Sequence, residues 1–214
     1  MGRFLICFWA VLLAIPFSMP VQALDYRIGT SGDSAIILAE GDFEEGDSDR
    51  LERLLRKARN KPHTVWLVSD GGAAHEGMLV GETIRAHKMA THVPNKVDCA
   101  SACVLAFLGG VIRSKSSGGR IGVHMASAAS SEEYISSLKE ILLKPEYDLD
   151  ARIQLITMIN ETYSARIMAL MANYVQKMGV SLRVLFPSTA TSHMDIHWLT
   201  DYELESYNVI NTVN

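Results

Sequence analysis

Three short apolar runs, each followed by a segment of helical spacing, limit what this chain can become. Ala35-Ile36-Ile37-Leu38-Ala39 precedes a segment beginning at Ser48. There Leu51, Leu54 and Leu55 fall on one face, opposite Arg50, Arg53, Arg56 and Lys57. Thr64-Val65-Trp66-Leu67-Val68 precedes residues 75–89, with Met78, Leu79, Gly81, Ile84 and Arg85 at helical spacing. Thr91-His92-Val93 and Lys96-Val97 read as a third strand, leading to Cys99 and an apolar helix. This alternation predicts an α/β fold with a parallel sheet. In such sheets functional groups gather beyond the carboxyl ends of strands. Ser69-Asp70-Gly71-Gly72 and Cys99-Ala100-Ser101 both fall at such ends.

Those two ends and one histidine carry the parts that acyl transfer needs. Ser101 stands between small residues at the start of a helix, where the dipole and free N–H groups favour a developing negative charge. His124 closes the run Arg120-Ile121-Gly122-Val123-His124. Imidazole as a group titrates near neutrality, so it can accept and return a proton. The backbone N–H groups of Gly72 and Ala102 are candidate oxyanion donors, and Gly71 allows torsions closed to other residues. Each has a plainer alternative: a helix-capping serine, a core histidine, a tight turn. Asp195 is the candidate to orient His124, against the alternative of an exposed loop aspartate. His193 and His197 bracket it without an evident further ligand, so no metal is expected.

Downstream, Gly109-Gly110 breaks the pattern. Two short strands follow, at 111–114 and 120–124, joined by the turn Ser116-Ser117-Gly118-Gly119. Residues 132–178 read as a mostly helical arm interrupted near Pro145, with Leu149, Ile153, Ile156, Ile159, Ile167, Leu170 and Met171 at helical spacing. Met168, Met171 and Met178 read as core or contacts between copies rather than a cofactor site. Gly179 ends the arm, and residues 182–185 start another helix before Pro187. Thr200 followed by Glu203 is a capping-box pattern.

A chain of 214 residues with 48% hydrophobic content can bury one sizeable core. A net charge of −4 without a basic block argues against nucleic acid as the main partner. Arg3, the apolar run that follows and Val21-Gln22-Ala23 read as a signal peptide over 1–23. The mature domain is then 24–214, exported to the periplasm or beyond and without a stable membrane span. An uncleaved anchor is the alternative. Cys7 leaves with the signal, and Cys99 and Cys103 remain as an even pair in an oxidising compartment. An i, i+4 helical pair has a Cα separation of roughly 6 Å, within the disulfide range of about 4.4–6.8 Å. Two small buried thiols are the alternative.

In this order the pieces resemble the Clp protease proteolytic subunit (ClpP) and the wider ClpP/crotonase superfamily, above all its exported bacterial ClpP-like members. Ser69-Asp70-Gly71-Gly72 resembles the family's Ser-Pro-Gly-Gly oxyanion turn, with Asp70 in place of proline. Ala100-Ser101-Ala102 resembles the Ala-Ser-Met of the nucleophile helix, and Ile121-Gly122-Val123-His124 the strand ending in the catalytic histidine. Trp198-Leu199-Thr200, Glu203 and Tyr207 resemble the family's C-terminal segment. The resemblance implies a ClpP/crotonase-like spiral of β-β-α units with a mostly helical C-terminal arm. It implies a serine peptidase or related hydrolase taking a polypeptide or other acyl substrate without metal or organic cofactor. It also implies self-association through the arm, which matches the family's ring-forming handle.

An ungapped match puts Ile196 where the family's aspartate falls, with Asp195 one position earlier. A one-residue slip turns a strand side chain to the opposite face, so Asp195 needs a local irregularity to serve. Two further readings stay open. One is a catalytically inactive ClpP-fold binding or assembly module. The other is crotonase-like acyl-CoA chemistry, against which export and the serine–histidine pair both argue.

Overall fold

The computed structural model describes residues 23–212 except 59–60 and 128–130. Residues 1–22 of the leader read over 1–23, with Cys7, lie outside the described residues. In chain order the elements are β1 (Asp25–Ser31), β2 (Ser34–Glu40), α1 (Asp47–Lys57), β3 (Thr64–Val68), α2 (Ala74–Ala86), β4 (Ala90–Val93) and β5 (Asp98–Ala100). Then come α3 (Ala102–Leu108), β6 (Arg113–Lys115), β7 (Arg120–Val123), α4 (Glu132–Leu143) and α5 (Leu149–Lys177). A 3₁₀ turn (Leu182–Val184), α6 (Leu185–Ala190), β8 (His197–Trp198) and α7 (Asp201–Ser206) complete them. Among the described residues no helix is long and apolar enough to cross a membrane.

The strands make two sheets. The larger has the order β1-β2-β3-β4-β6, parallel except for the antiparallel β1–β2 pair. The smaller has the order β5-β7-β8, with β5–β7 parallel and β7–β8 antiparallel. Strand side chains alternate between faces: Ile37 and Ala39 of β2, and Val65 and Leu67 of β3, point into the core, while Thr64, Trp66 and Val68 are half-buried on the other face. Every residue of α3 is buried, as an all-apolar helix requires. It lies so close to α2 that a side chain at Gly77 would overlap the Ala102 carbonyl, and one at Gly109 would overlap Gly81.

Two expectations need correction. The stretch from Thr91 to Val97 is not one strand. The chain leaves β4 after Val93 and turns through Lys96 at φ 61, then enters the other sheet as β5. The strands on either side of the 116–119 turn likewise serve different sheets, β6 beside β4 and β7 beside β5. The turn is therefore a corner between sheets. β1 has no counterpart in the sequence reading: it is a mostly exposed edge strand with too few apolar residues to stand out.

The arm and the tail behave differently. α4 buries none of its residues, and α5 buries only Met171, Tyr174 and Val175, near its C-terminal end. The tail is strapped to the core by Arg113, which is 1% exposed. Its guanidinium donates to the carbonyls of Val209 (2.8 Å), Gly110 (2.9 Å) and Asn208 (2.8 Å). Burial, aided by the nearby Arg85, pushes its pKa down to about 10. A planar fork of donors fits three carbonyls at once, and a lysine could not reproduce it. Arg113→Ala would leave the Val209 and Gly110 carbonyls buried without this donor. The expected cost is about 3 kcal/mol or more, read in thermal denaturation as a Tm lower by roughly 6–12 °C.

Candidate active site

The two sheets touch at a parallel bridge between Ser69, just past β3, and Cys99 on β5. Ser69 N–H donates to the Asp98 carbonyl (3.1 Å), and Ala100 N–H donates to the Ser69 carbonyl (3.0 Å). The glycine turn and the serine therefore share one frame. Next to them Phe43 pairs with Gly72: Phe43 N–H donates to the Gly71 carbonyl (2.7 Å), and Ala73 N–H to the Phe43 carbonyl (2.8 Å). In a parallel ladder the residue between two such bonds points its own N–H the other way. The Gly72 N–H is accordingly uncommitted among the described residues.

Gly71 and Gly72 have φ values of 130 and 121, which side-chain-bearing residues rarely adopt. A Cβ at Gly71 would lie 2.7 Å from Ser101 Cβ, and one at Gly72 would overlap the Phe43 backbone. These glycines bring a bare main chain up to the serine.

Ser101 occupies the N-cap position of α3 at φ 55, ψ −121. Its N–H donates to the Gly122 carbonyl of β7 (3.0 Å), and its carbonyl accepts from Val104 N–H (3.0 Å). Its side chain makes no capping bond. Ala102 is the first helical residue, and its N–H has no carbonyl one turn back. Cys99 and Cys103 are disulfide-bonded, with a Cα–Cα distance of 5.2 Å, and both are fully buried.

His124 follows β7 directly and faces the same cleft as Ser101. That cleft is narrow and mostly apolar, walled by Val104 and Leu105 of α3, Met171 of α5 and Leu185 of α6. His124 Nδ1 lies 2.9 Å from the Met125 carbonyl. A carbonyl only accepts, so the proton sits on Nδ1 and the Nε2 lone pair is left free. The segment is tied to α6 and its end: Ser188 Oγ donates to the His124 carbonyl (2.9 Å), and Met125 N–H donates to the Thr191 carbonyl (2.9 Å). Among the described residues no hydrogen bond joins Ser101 Oγ to His124. Catalytic contacts are often long before substrate arrives.

The structure does not bring Asp195 to His124. In the β7–β8 pair Gly122 faces Trp198 and Val123 faces His197, so the next step sets His124 opposite Ile196. A side chain at Gly122 would overlap Ile196, which places Ile196 on the Gly122–His124 face and Asp195 on the other. Asp195 is exposed, its N–H donating to the Ser192 carbonyl. His193 is exposed as well. His197 is bound by Glu203 (3.0 Å). Burial raises the Glu203 carboxyl, but the Thr200 N–H, His197 and the Thr200 hydroxyl outweigh it and hold its pKa below the ordinary carboxylate value. The expected capping box at Thr200 and Glu203 is present. Among the described residues no cluster of His, Cys, Asp and Glu could hold a metal.

Sequence reasoning missed Met125, Ser188 and Thr191, which set the histidine's position. Met125 and Thr191 act through their own main-chain carbonyls, which leave no residue-type signal.

No family model matches the sequence, and no curated protein does. Solved structures do. A mutant of ClpP1 from Listeria monocytogenes matches at 16% identity over 82% of this chain and 88% of that one, with a TM-score of 0.47. A mutant of the 1510-N membrane-bound stomatin-specific protease matches at 16% identity over 81% and 75%, with a TM-score of 0.49. Another mutant of that protease, in complex with a substrate peptide, matches at 17% over 81% and 71%, with a TM-score of 0.50. The chain has the ClpP/crotonase-like α/β fold. At such identities the likeness is one of fold, and the chemistry has to be argued from this chain's own residues.

Gly71→Ala tests the close approach. The added methyl would push against Ser101, and the expected outcome is about 10²-fold slower reaction of Ser101 with a fluorophosphonate, the scale of losing one oxyanion donor. Circular dichroism should show the fold retained.

Proposed function

We propose that this chain is a ClpP-like serine hydrolase that cleaves a polypeptide or other acyl substrate with a Ser101–His124 dyad. The observation that carries this reading is the convergence of Ser101, His124 and Ala102 on one apolar cleft, with the bare glycine turn lying against Ser101. Ser101 Oγ attacks the acyl carbon while His124 Nε2 takes its proton. The carbonyl oxygen, now negative, is held by the N–H groups of Gly72 and Ala102. Nε2 then gives the proton to the leaving group, and water repeats the sequence on the acyl-serine. The Met125 carbonyl holds Nδ1–H throughout, in place of a carboxylate. The cleft's walls favour an apolar side chain beside the scissile bond.

A second reading has its own support. Ile196 at the acid's position and the absent Ser101–His124 hydrogen bond both suit a ClpP-fold binding or assembly module. Labelling by a fluorophosphonate separates the two. The hydrolase labels, and Ser101→Ala abolishes the label. A wild-type protein that never labels leaves the binding module.

The chain is exported, in our reading, and its leader is removed after Ala23. The apolar leader and the bridged cysteine pair support this. A second copy covers the arm, where Leu142, Leu143, Leu149, Ile153 and Met158 are exposed. The expected outcome is a mature protein that begins at Leu24 by N-terminal sequencing and exceeds monomer mass by light scattering. A monomer, or a retained leader, would count against the corresponding half.

A further inference from the structure

We infer that the Cys99–Cys103 bridge is a positioning device for Ser101, holding the serine at the positive φ that aims its side chain into the cleft. The inference rests on reading Ser101 as the nucleophile. β5 ends at Ala100 and α3 begins at Ala102, so the whole change of direction from strand to helix falls on Ser101. It is made at φ 55, ψ −121, where a residue with a Cβ is disfavoured and persists only when its surroundings over-determine it.

The strand side is held by Ala100 N–H on the Ser69 carbonyl and Ser101 N–H on the Gly122 carbonyl, and the helix side by Val104 N–H on the Ser101 carbonyl. These bonds fix the two arms of the joint but do not tie one arm to the other. The bridge does so covalently. It joins the middle residue of β5 to the second residue of α3 across a Cα–Cα distance of 5.2 Å, with Ser101 midway between them in sequence. Relaxing Ser101 to an ordinary negative φ would swing Cys103 away from Cys99, and the bridge forbids it. The same swing would carry off the Ala102 N–H, so the bridge sets nucleophile and oxyanion donor together. Both cysteines are fully buried, which makes the bridge a permanent clamp rather than a solvent-addressed switch.

The Cys99→Ala/Cys103→Ala protein tests this. The expected result is labelling of Ser101 by a fluorophosphonate slowed about tenfold or more, with far-UV circular dichroism unchanged. A bridge that only adds stability would lower Tm and leave the labelling rate of the folded protein as it was, and that result overturns the inference. Cys99→Val/Cys103→Ala refills the space in case the smaller pair does not fold. Failure of both pairs to fold would make the bridge a general folding requirement and equally overturn the positioning role.

A second measurement needs no chemistry at Ser101. Glycine tolerates positive φ, so Ser101→Gly should raise Tm by roughly 2–4 °C in the bridged protein. In the bridge-free protein, where the joint has relaxed, it should raise Tm less. Equal shifts in the two backgrounds overturn the inference. Should the wild-type protein never label, the hydrolase reading fails on its own, and this comparison still decides what the bridge does.

Discussion

The contact on which the site depends is the parallel bridge between Ser69 and Cys99. β3 and β5 belong to different sheets, and this register contact is where the sheets meet. It places the end of one apolar strand beside the start of the buried helix α3. The glycine turn follows from one side of the bridge and Ser101 from the other. Either element alone is an ordinary strand end. Held together, a bare main chain lies against a serine whose own backbone is bent to positive φ. Rigid framing of this kind is what lets main-chain N–H groups act without reorganising.

Much of this was legible in the sequence because its signals are local. The strands at 35–39 and 64–68, the helix after His75, the break near Pro145 and the Thr200 capping box each depend on a few neighbouring residues. The turn glycines were legible too, since few residues other than glycine suit their φ values. What could not be read was set by contacts between segments. Residues 91–97 read as one strand leading to Cys99, and only the partners of β4 and β5, which include β3 and β7, place the two strands in different sheets. β1 gains its place from pairing with β2 while most of its own side chains stay in solvent. Arg113 falls in the strand read at 111–114, and it is buried because the tail brings backbone carbonyls to it.

The ungapped family match puts Ile196 at the aspartate's position, and the β7–β8 pairing sets Ile196 opposite His124. A carboxylate there would orient the imidazole and carry a full charge against the imidazolium. The Met125 carbonyl does the first and offers only a dipole for the second. On the hydrolase reading, proton transfer through His124 leans more heavily on the oxyanion donors proposed at Gly72 and Ala102.

The helix α6 joins these features. It lines the cleft with Leu185 and Ser188, and Ser188 also holds the backbone carbonyl of His124. The loop just after it takes the N–H of Met125, whose carbonyl fixes the imidazole. α6 thus helps to set both the cleft wall and the histidine, while its own Phe186 stays exposed. Ser101 is fixed differently, by the sheet junction, the disulfide and the packed helix α3. The serine half of the site is rigid by construction. The histidine half continues β7 and is held further by α6 and the few hydrogen bonds that attach it.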